Sequence, residues 1–379
     1  MTAHALPDPT ELAPRLAALA REAAADHEFE TFLVGVRARR LGRRVPESVL
    51  LAWKGHVKRE AGGLLEAEWG PLGRSVAFTR PELLLVWDQD RQQVETTVRP
   101  VFLYGRYVKR TRALPQTRAT WSCPRCRGKR PRGCDACQGT GRLYPIALED
   151  LLAGACARAL GGPEPESLLH GMGREDVDVR CLGAGRPFVV EVRAPRRRTT
   201  DLAALAREIE AGAGGRLELP AGLRLTGDLV ARVKEWRAPK VYRAVAQARG
   251  RVDPARVAAL PGLLAGVTLA QRTPQRVARS RSDLVRARRV VEAQVLATTA
   301  AEAGDRIELR LEAEAGTYIK ELVSGDDGRT APSISSLLGV ACECAELDVL
   351  EIRADDADVL SDRPSPACVA GDDAAEQKD

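Results

Sequence analysis

Aromatic side chains, long apolar runs and a signal-like N-terminus are scarce or missing in this sequence. Aromatic residues make up only 4% of the 379 residues, so aliphatic side chains must supply most of the core packing. The sequence has no apolar run of the ~18 residues that a transmembrane helix needs, so none is predicted. Residues 1–4 lack the basic and then apolar pattern of a secretory signal. We therefore expect a soluble, cytoplasmic protein with no membrane partner.

The charge balance is mildly basic, and the apolar content is sufficient for a sizeable core. The formal net charge is +6, the pI is about 8.9 and 44% of the residues are apolar. Such a charge permits an anionic partner without requiring one. The length suggests two domains or three, and we expect them at 1–145 and 146–358, with a disordered tail at 359–379. Nothing in the sequence points to an obligatory protein partner.

Four of the nine cysteines form two Cys-x-x-Cys pairs that are separated by seven residues. Their members are Cys123, Cys126, Cys134 and Cys137. Each pair can place two thiolates on one tetrahedral ion, so the four predict a closed, structural zinc site in a ribbon at about 121–144. A redox dithiol is the alternative, but the thioredoxin-like context that it needs is absent. The second pair also resembles the knuckles of zinc-bearing chaperones, which keeps a chaperone interpretation open for this segment.

Apolar periodicity predicts helices followed by strands in the first domain. Helices are expected at about 12–23 and 48–66, and strands at 82–87 and 94–98, which together suggest a small α+β module. The segment 101–112 then interleaves aromatic residues with arginine and lysine. It could contact RNA by stacking on bases and neutralising phosphates, or it could be an edge strand with a solvated basic face.

Residues 170–180 form the segment around which the second domain is organised. Three carboxylates and two arginines lie within seven residues, and the apolar run at 187–192 predicts a buried strand directly afterwards. So many charges must be solvated, paired or functional. The residues alone permit two interpretations, a charged surface turn or a catalytic loop that presents one carboxylate.

The motif Arg174-Glu175-Asp176 resembles the Arg-x-Asp loop of pseudouridine synthases. The longer phrase at 171–188 resembles the "Pus-ten" family of tRNA pseudouridine synthases from archaea and eukaryotes, and the resemblance covers most of the chain. Further motifs carry it in the second domain. They are Lys240-Val241-Tyr242-Arg243-Ala244, Gln271-Arg272-Thr273-Pro274, Gly316-Thr317-Tyr318-Ile319-Lys320 and the apolar segment 333–339.

The resemblance implies an α+β fold with two parts. One is a pseudouridine-synthase catalytic domain with a mixed, mainly antiparallel sheet and flanking helices. The other is an N-terminal THUMP-like α/β accessory domain with a zinc ribbon, because residues 100–117 resemble the end of that domain. The implied activity is isomerisation of uridine to pseudouridine at positions 54 and 55 of the tRNA T-loop. The implied partner is the tRNA T-arm, and no organic cofactor is expected.

The resemblance also assigns roles to individual residues. Asp176 is the expected catalytic carboxylate, with Asp178 as the second candidate, and Lys320 is expected to pair with Asp176 and keep it ionised. Tyr242 should stack on the target base, since tyrosine offers a flat apolar surface with a polar tip. The remaining expected substrate-binding residues are Arg174, Arg243, Leu338 as a wall of the uracil pocket (with Leu337 as the alternative), and Arg276.

Arg276 belongs to a run of arginines at 272–289 that contains a single aspartate. Such a run is either a solvated face or a phosphate track, and a tRNA enzyme favours the second. Two other function classes stay open. The first is a non-catalytic tRNA-binding protein or chaperone on the same scaffold. The second is a zinc-ribbon RNA module joined to a domain with unrelated chemistry, although no phosphate-binding or methyl-donor loop is found.

Overall fold

The computed structural model describes residues 6–42, 45–130, 133–163, 166–278 and 281–361. The chain divides into two compact units, and both are discontinuous in sequence. The first consists of Met1–Phe102, Ala153–Leu168 and Glu191–Asp201. The second consists of Leu103–Leu152, Leu169–Val190 and Leu202–Asp379. This division differs from the border expected at 145/146, because the ribbon segment groups with the second unit.

The predicted tail at 359–379 lies almost entirely outside the described residues. Its first two residues, Val359 and Leu360, complete a short helix, and Ser361 is the last residue that the structure describes.

The described residues of the Met1–Phe102 part of the first unit form three α-helices and a four-stranded sheet. The elements are α1 (Pro9–Ala24), β1 (Thr31–Arg37), α2 (Arg39–Gly42), α3 (Glu47–Trp69), β2 (Ser75–Val76), β3 (Leu83–Asp88) and β4 (Gln93–Val98). The strand order is β2-β1-β3-β4. The two pairs that involve β1 are parallel, and β3 pairs with β4 in antiparallel fashion.

Local sequence signals explain where these elements begin and what they bury. α1 begins at Pro9 because the Asp8 carboxylate accepts the backbone N–H of Thr10 at 2.8 Å and caps the helix. Leu16 of α1 and Phe32 of β1 are fully buried in one apolar core with residues of α3 and β3. The predicted helices and strands of this region are confirmed within a few residues at each end.

The remaining elements follow in chain order. The strands are β5 (Val101–Lys109), β6 (Leu168–Gly171), β7 (Arg180–Val192), β8 (Leu217–Glu218), β9 (Leu223–Thr226), β10 (Lys240–Ala248), β11 (Thr268–Arg272), β12 (Val285–Thr299), β13 (Arg306–Ala313), β14 (Thr330–Ala331) and β15 (Cys342–Ile352). The helices are α4 (Leu148–Leu160), α5 (Leu202–Ala213), α6 (Val230–Glu235), α7 (Pro254–Leu264), α8 (Ile319–Ser324), α9 (Ile334–Leu338) and α10 (Asp356–Leu360).

These eleven strands form one mixed sheet within the described residues, and nine of them lie side by side in a continuous order. Its order is β14-β11-β12-β13-β10-β15-β7-β5-β8, while β6 pairs with β7 and β9 with β5. β10 lies between β13 and β15 and is antiparallel to both, whereas β15 and β7 are parallel. The expected mixed, mainly antiparallel sheet with helices is therefore confirmed. Because β10, β15 and β7 are neighbours, the motifs that they carry can meet at one place.

In the described ranges, no helix reaches the length and apolarity that a membrane crossing requires.

Candidate active site

The segment between β6 and β7 is anchored by a buried ion pair. Glu175 contacts Arg186 at 2.7 Å between Oε2 and Nε, and only 1% of each side chain is exposed. The Tyr107 hydroxyl donates to the same carboxylate at 2.9 Å. Arg186 also donates to the Met172 carbonyl at 2.6 Å. These contacts hold Glu175 inward, so the next residue along the loop is presented on the other side.

The backbone of this loop is held by two further cations. The Lys109 ammonium is fully buried and donates to the carbonyl oxygens of Asp176 and Val177 at 3.1 and 3.0 Å. Arg112 donates to the Asp178 carbonyl at 3.0 Å. The main chain around Asp176 is therefore fixed independently of its carboxylate, which leaves that carboxylate available for other contacts.

The Asp176 carboxylate lies between two cations that come from distant parts of the chain. Arg276 Nη1 contacts Asp176 Oδ2 at 2.9 Å, and Lys320 Nζ contacts the same oxygen at 3.1 Å. Lys320 also binds both oxygens of Asp178 at 2.8 Å. Arg276 is oriented in turn by Glu321, whose Oε1 lies 2.6 Å from its Nε. The result is a network of alternating charges around one half-buried aspartate.

These contacts determine the charge state of the site. Burial raises the pKa of Asp176, but the positive charges of Arg276 and Lys320 outweigh this effect and hold the pKa below its usual range. Burial likewise lowers the pKa of Lys320, and its bonds to Asp178 and Asp176 outweigh that and raise it. Asp176 is therefore an ionised carboxylate at neutral pH, and Lys320 is a charged ammonium.

A cavity of about 480 Å³ opens beside Asp176. Tyr242 and Lys240 of β10 and Leu347 and Val349 of β15 form part of its wall. Tyr242 is only 7% exposed, and burial raises the pKa of its hydroxyl to about 12, so the phenol is neutral. A volume of this size, with one aromatic and several aliphatic side chains beside a carboxylate, can enclose a planar base next to a reactive group.

Most of the site residues expected from the sequence come together around this cavity. Asp176, Lys320, Tyr242, Arg174 and Arg276 all line it. Arg174 is exposed at its edge. Arg276 was expected only as part of a phosphate track, yet it contacts the Asp176 carboxylate directly. Sequence reasoning missed this pairing because the two residues are 100 positions apart.

Arg243, which was expected to bind substrate, does not lie in the cavity wall. Successive side chains of a strand point to opposite faces, and Tyr242 takes the cavity face of β10. Arg243 instead contacts Glu308 at 2.6 Å, Glu346 at 3.0 Å and Asp348 at 3.4 Å. Its guanidinium is therefore occupied by carboxylates of the neighbouring strands β13 and β15.

Leu338 is also absent from the cavity wall. It lies in α9 and is 2% exposed, so it contributes to the core. The aliphatic part of the wall includes Leu347 and Val349, which share one face of β15. Val349 lies directly opposite Tyr242 in the antiparallel register. The alternation of side chains along the strand at 342–352 is the signal that could have identified these two residues.

The four paired cysteines converge on one point in the second unit. All four sulfur atoms lie within 4.8 Å of one another, and those of Cys126 and Cys137 are 3.6 Å apart. A tetrahedral zinc with Zn–S bonds of about 2.3 Å requires sulfur separations of about 3.8 Å, so the donor set fits that ion. The backbone N–H of Gly141 donates to Cys137 Sγ at 3.3 Å. Trp121, just before the first cysteine, is 74% exposed.

Comparisons with known proteins identify the family to which the chain is similar. The family model described as "Pus10, C-terminal" matches residues 102–353. A relative from Methanothermobacter marburgensis, named tRNA pseudouridine synthase Pus10, is 41% identical over 86% of this chain and 79% of its own length. Relatives with the same name are 39% identical in Halorubrum lacusprofundi, over 89% of this chain and 79% of the relative, and 38% identical in Archaeoglobus fulgidus, over 86% and 88%.

Similarity to solved structures is much weaker. A chain of the structure titled "Crystal Structure of a Cbf5-Nop10-Gar1 Complex" is 19% identical, with a TM-score of 0.33 over 53% of this chain and 44% of that one. The family assignment depends on the sequence relatives, which span most of both proteins, and on the model that matches well over half of the chain. On that basis, the chain belongs to the Pus10 family.

Proposed function

We propose that this protein is a tRNA pseudouridine synthase that uses Asp176 as its catalytic carboxylate. The observation that carries the proposal is the ionised Asp176 carboxylate, which lies between Arg276 and Lys320 at a cavity walled by Tyr242. The names of the relatives support tRNA as the substrate. We further propose uridines 54 and 55 of the T-loop as the targets, which rests on the motif resemblance.

The reaction needs little beyond such a site. In the substrate, the bond between uracil N1 and ribose C1′ breaks, the base rotates, and a C5–C1′ bond forms while C5 loses a proton and N1 gains one. No electrons are gained or lost overall. Asp176 acts at the junction of sugar and base, on C1′ or on a sugar proton. Arg276 and Lys320 orient it, and Tyr242 with Leu347 and Val349 retains the detached uracil.

The rest of the chain is proposed to bind the tRNA and to position the target uridine at the cavity. Arg174 is exposed at the cavity edge, where a guanidinium can bind a phosphate of the flipped nucleotide. The region 1–145 is proposed as a THUMP-like accessory domain that reads the shape of the T-arm, with 146–358 as the catalytic part. A cytoplasmic location is part of this proposal, since tRNA is its substrate.

The test is pseudouridine mapping on an unmodified tRNA transcript after incubation with the purified protein. We expect new pseudouridine in the T-loop at positions 54 and 55 and at no other uridine. Transcripts that carry cytidine at one of these positions serve as matched substrates, and each should lose only its own signal. Binding of the transcript without any pseudouridine would contradict the enzyme proposal and favour a non-catalytic tRNA-binding protein.

Zinc is proposed as the structural ion of the four-cysteine site. With four protein thiolates the coordination shell is closed, so the ion would fix the ribbon and take no part in the chemistry. We expect elemental analysis to find one zinc per chain. Cys134→Ser should remove it, whereas Cys342→Ser should not, because Cys342 is buried in a different part of the second unit. Full zinc content in Cys134→Ser would contradict the assignment.

A further inference from the structure

Lys240 is a buried lysine at the wall of the cavity beside Asp176. It begins β10 and lies two residues before Tyr242, so both side chains are on the same face of the strand. Both line the cavity. Lys240 is 7% exposed, and a side-chain carbon at Gly173 of the catalytic loop would lie 3.9 Å from its Cε. The lysine thus extends from β10 towards the loop that carries Asp176.

The ammonium of Lys240 lacks the counter-charge that a buried cation normally has. Its hydrogen bond is to the Ala238 carbonyl at 3.0 Å, and no ion pair of Lys240 exists in the part of the chain that the structure describes. The loop that carries Asp176 has one buried carboxylate, Glu175, and it is already paired with Arg186. Burying an unpaired charge is costly, so a retained lysine in this position calls for a role.

The surroundings favour the neutral amine. Burial is the largest effect that lowers the pKa of Lys240, and the positive charges of Arg186 and Arg237 lower it further, while the Cys181 thiol raises it. The pKa falls to about 7, so the neutral amine, with its free electron pair, is accessible at neutral pH. Tyr242, the other titratable group on this face, has a pKa of about 12 and stays protonated.

We propose that Lys240 is a catalytic base that removes the proton from C5 of the uracil once the C5–C1′ bond has formed. This inference rests on the proposed function and deepens it. The C5–H bond breaks and the proton moves to Nζ of Lys240. The electron pair of that bond restores the C5=C6 double bond, the C6=N1 pair moves onto N1, and N1 takes a proton. The amine is regenerated when its ammonium gives the proton back to N1 or to water.

The experiment combines two substitutions with deuterium at the reacting carbon. Lys240→Met keeps an unbranched side chain as far as Cε and removes the amine that would act as the base. Lys240→Arg keeps a positive charge on a group that cannot lose its proton. Single-turnover pseudouridine formation would be measured on tRNA made with ordinary and with C5-deuterated uridine. We expect both variants to slow the reaction by about 10²-fold. We also expect deuterium to slow both variants more than the wild type, because C5 deprotonation becomes the slowest step.

A purely structural lysine gives a different pattern. It would leave the deuterium effect at the wild-type value even if the rate fell, and that result would overturn the proposal. A wild-type rate in Lys240→Met would also overturn the proposal. A wild-type rate in Lys240→Arg would overturn it too, because it would indicate that Lys240 acts as a hydrogen-bond donor. Arg207→Met is the matched control, since Arg207 is exposed on α5, does not line the cavity and should keep the wild-type rate.

Two readouts separate this proposal from the proposed function. Nuclear magnetic resonance of lysines labelled with ¹³C at Cε should show one signal that titrates near pH 7 and is missing in Lys240→Arg, whether or not the protein makes pseudouridine. A wild-type protein without pseudouridine would end the proposed function and this role with it. An active wild type whose Lys240 titrates like an exposed lysine would end only the role of Lys240.

Discussion

Asp176→Asn should reduce pseudouridine formation by about 10⁴-fold or more, which is the scale on which enzymes lose activity when a central catalytic group is removed. Asparagine has nearly the same shape, so the packing of the loop should persist. Its amide carries no negative charge and can neither attack carbon nor accept a proton as a carboxylate does. The measurement is the single-turnover rate on a tRNA transcript at saturating protein, alongside the affinity for that transcript.

Asp178→Asn is the matched control for this prediction. Asp178 lies on the same loop and binds Lys320, but its side chain is 64% exposed and it does not line the cavity. We expect it to lower the rate by less than about tenfold, since Lys320 keeps its contact with Asp176. If the loss followed Asp178→Asn and spared Asp176→Asn, the catalytic role would pass to Asp178.

Arg186→Met should lower the free energy of unfolding by about 3–5 kcal/mol, because breaking a buried ion pair leaves an uncompensated charge. Glu175 would remain inside with Tyr107 as a donor but without a cation. The Met172 carbonyl would also lose the bond from Arg186. The measurement is urea unfolding of the wild type and the variant, with the midpoint and slope compared for both.

The double variant Glu175→Gln with Arg186→Met separates charge from packing. It removes both charges, so we expect it to be more stable than Arg186→Met alone and to recover a large part of the loss. A change of less than about 1 kcal/mol in Arg186→Met would instead class the pair with exposed salt bridges, whose contribution is small. That outcome would contradict the anchoring role given to Glu175.

Sequence reasoning was most successful where one local pattern determines the structure. The strands predicted at 82–87 and 94–98 are found at Leu83–Asp88 and Gln93–Val98, because short runs of strand-forming residues bounded by turn residues indicate a strand locally. Short motifs predicted Asp176, Tyr242 and Lys320 as site residues, and all three line the cavity. A motif is local in the sequence, so it can be recognised without knowledge of the tertiary contacts.

The pairings between distant segments could not be predicted in this way. Arg276 was one of seven arginines in its run, and only the fold selects it as the partner of Asp176. Arg243 was predicted as a site residue because it belongs to the same motif as Tyr242, although adjacent side chains of a strand point to opposite faces. Glu175 and Arg186 were part of the quoted phrase, but nothing local shows that two such charges are buried together.

The placement of Trp121 has a consequence for spectroscopy. The protein has five tryptophans, of which Trp121 is 74% exposed and the others no more than 7%. The others are Trp53, Trp69, Trp87 and Trp236. Indole emission that is shifted to long wavelength and quenched by iodide therefore comes from the cysteine ribbon. Trp121 is thus an intrinsic fluorophore that reports on the ribbon without any added label. Trp121→Phe is the control that lacks this emission.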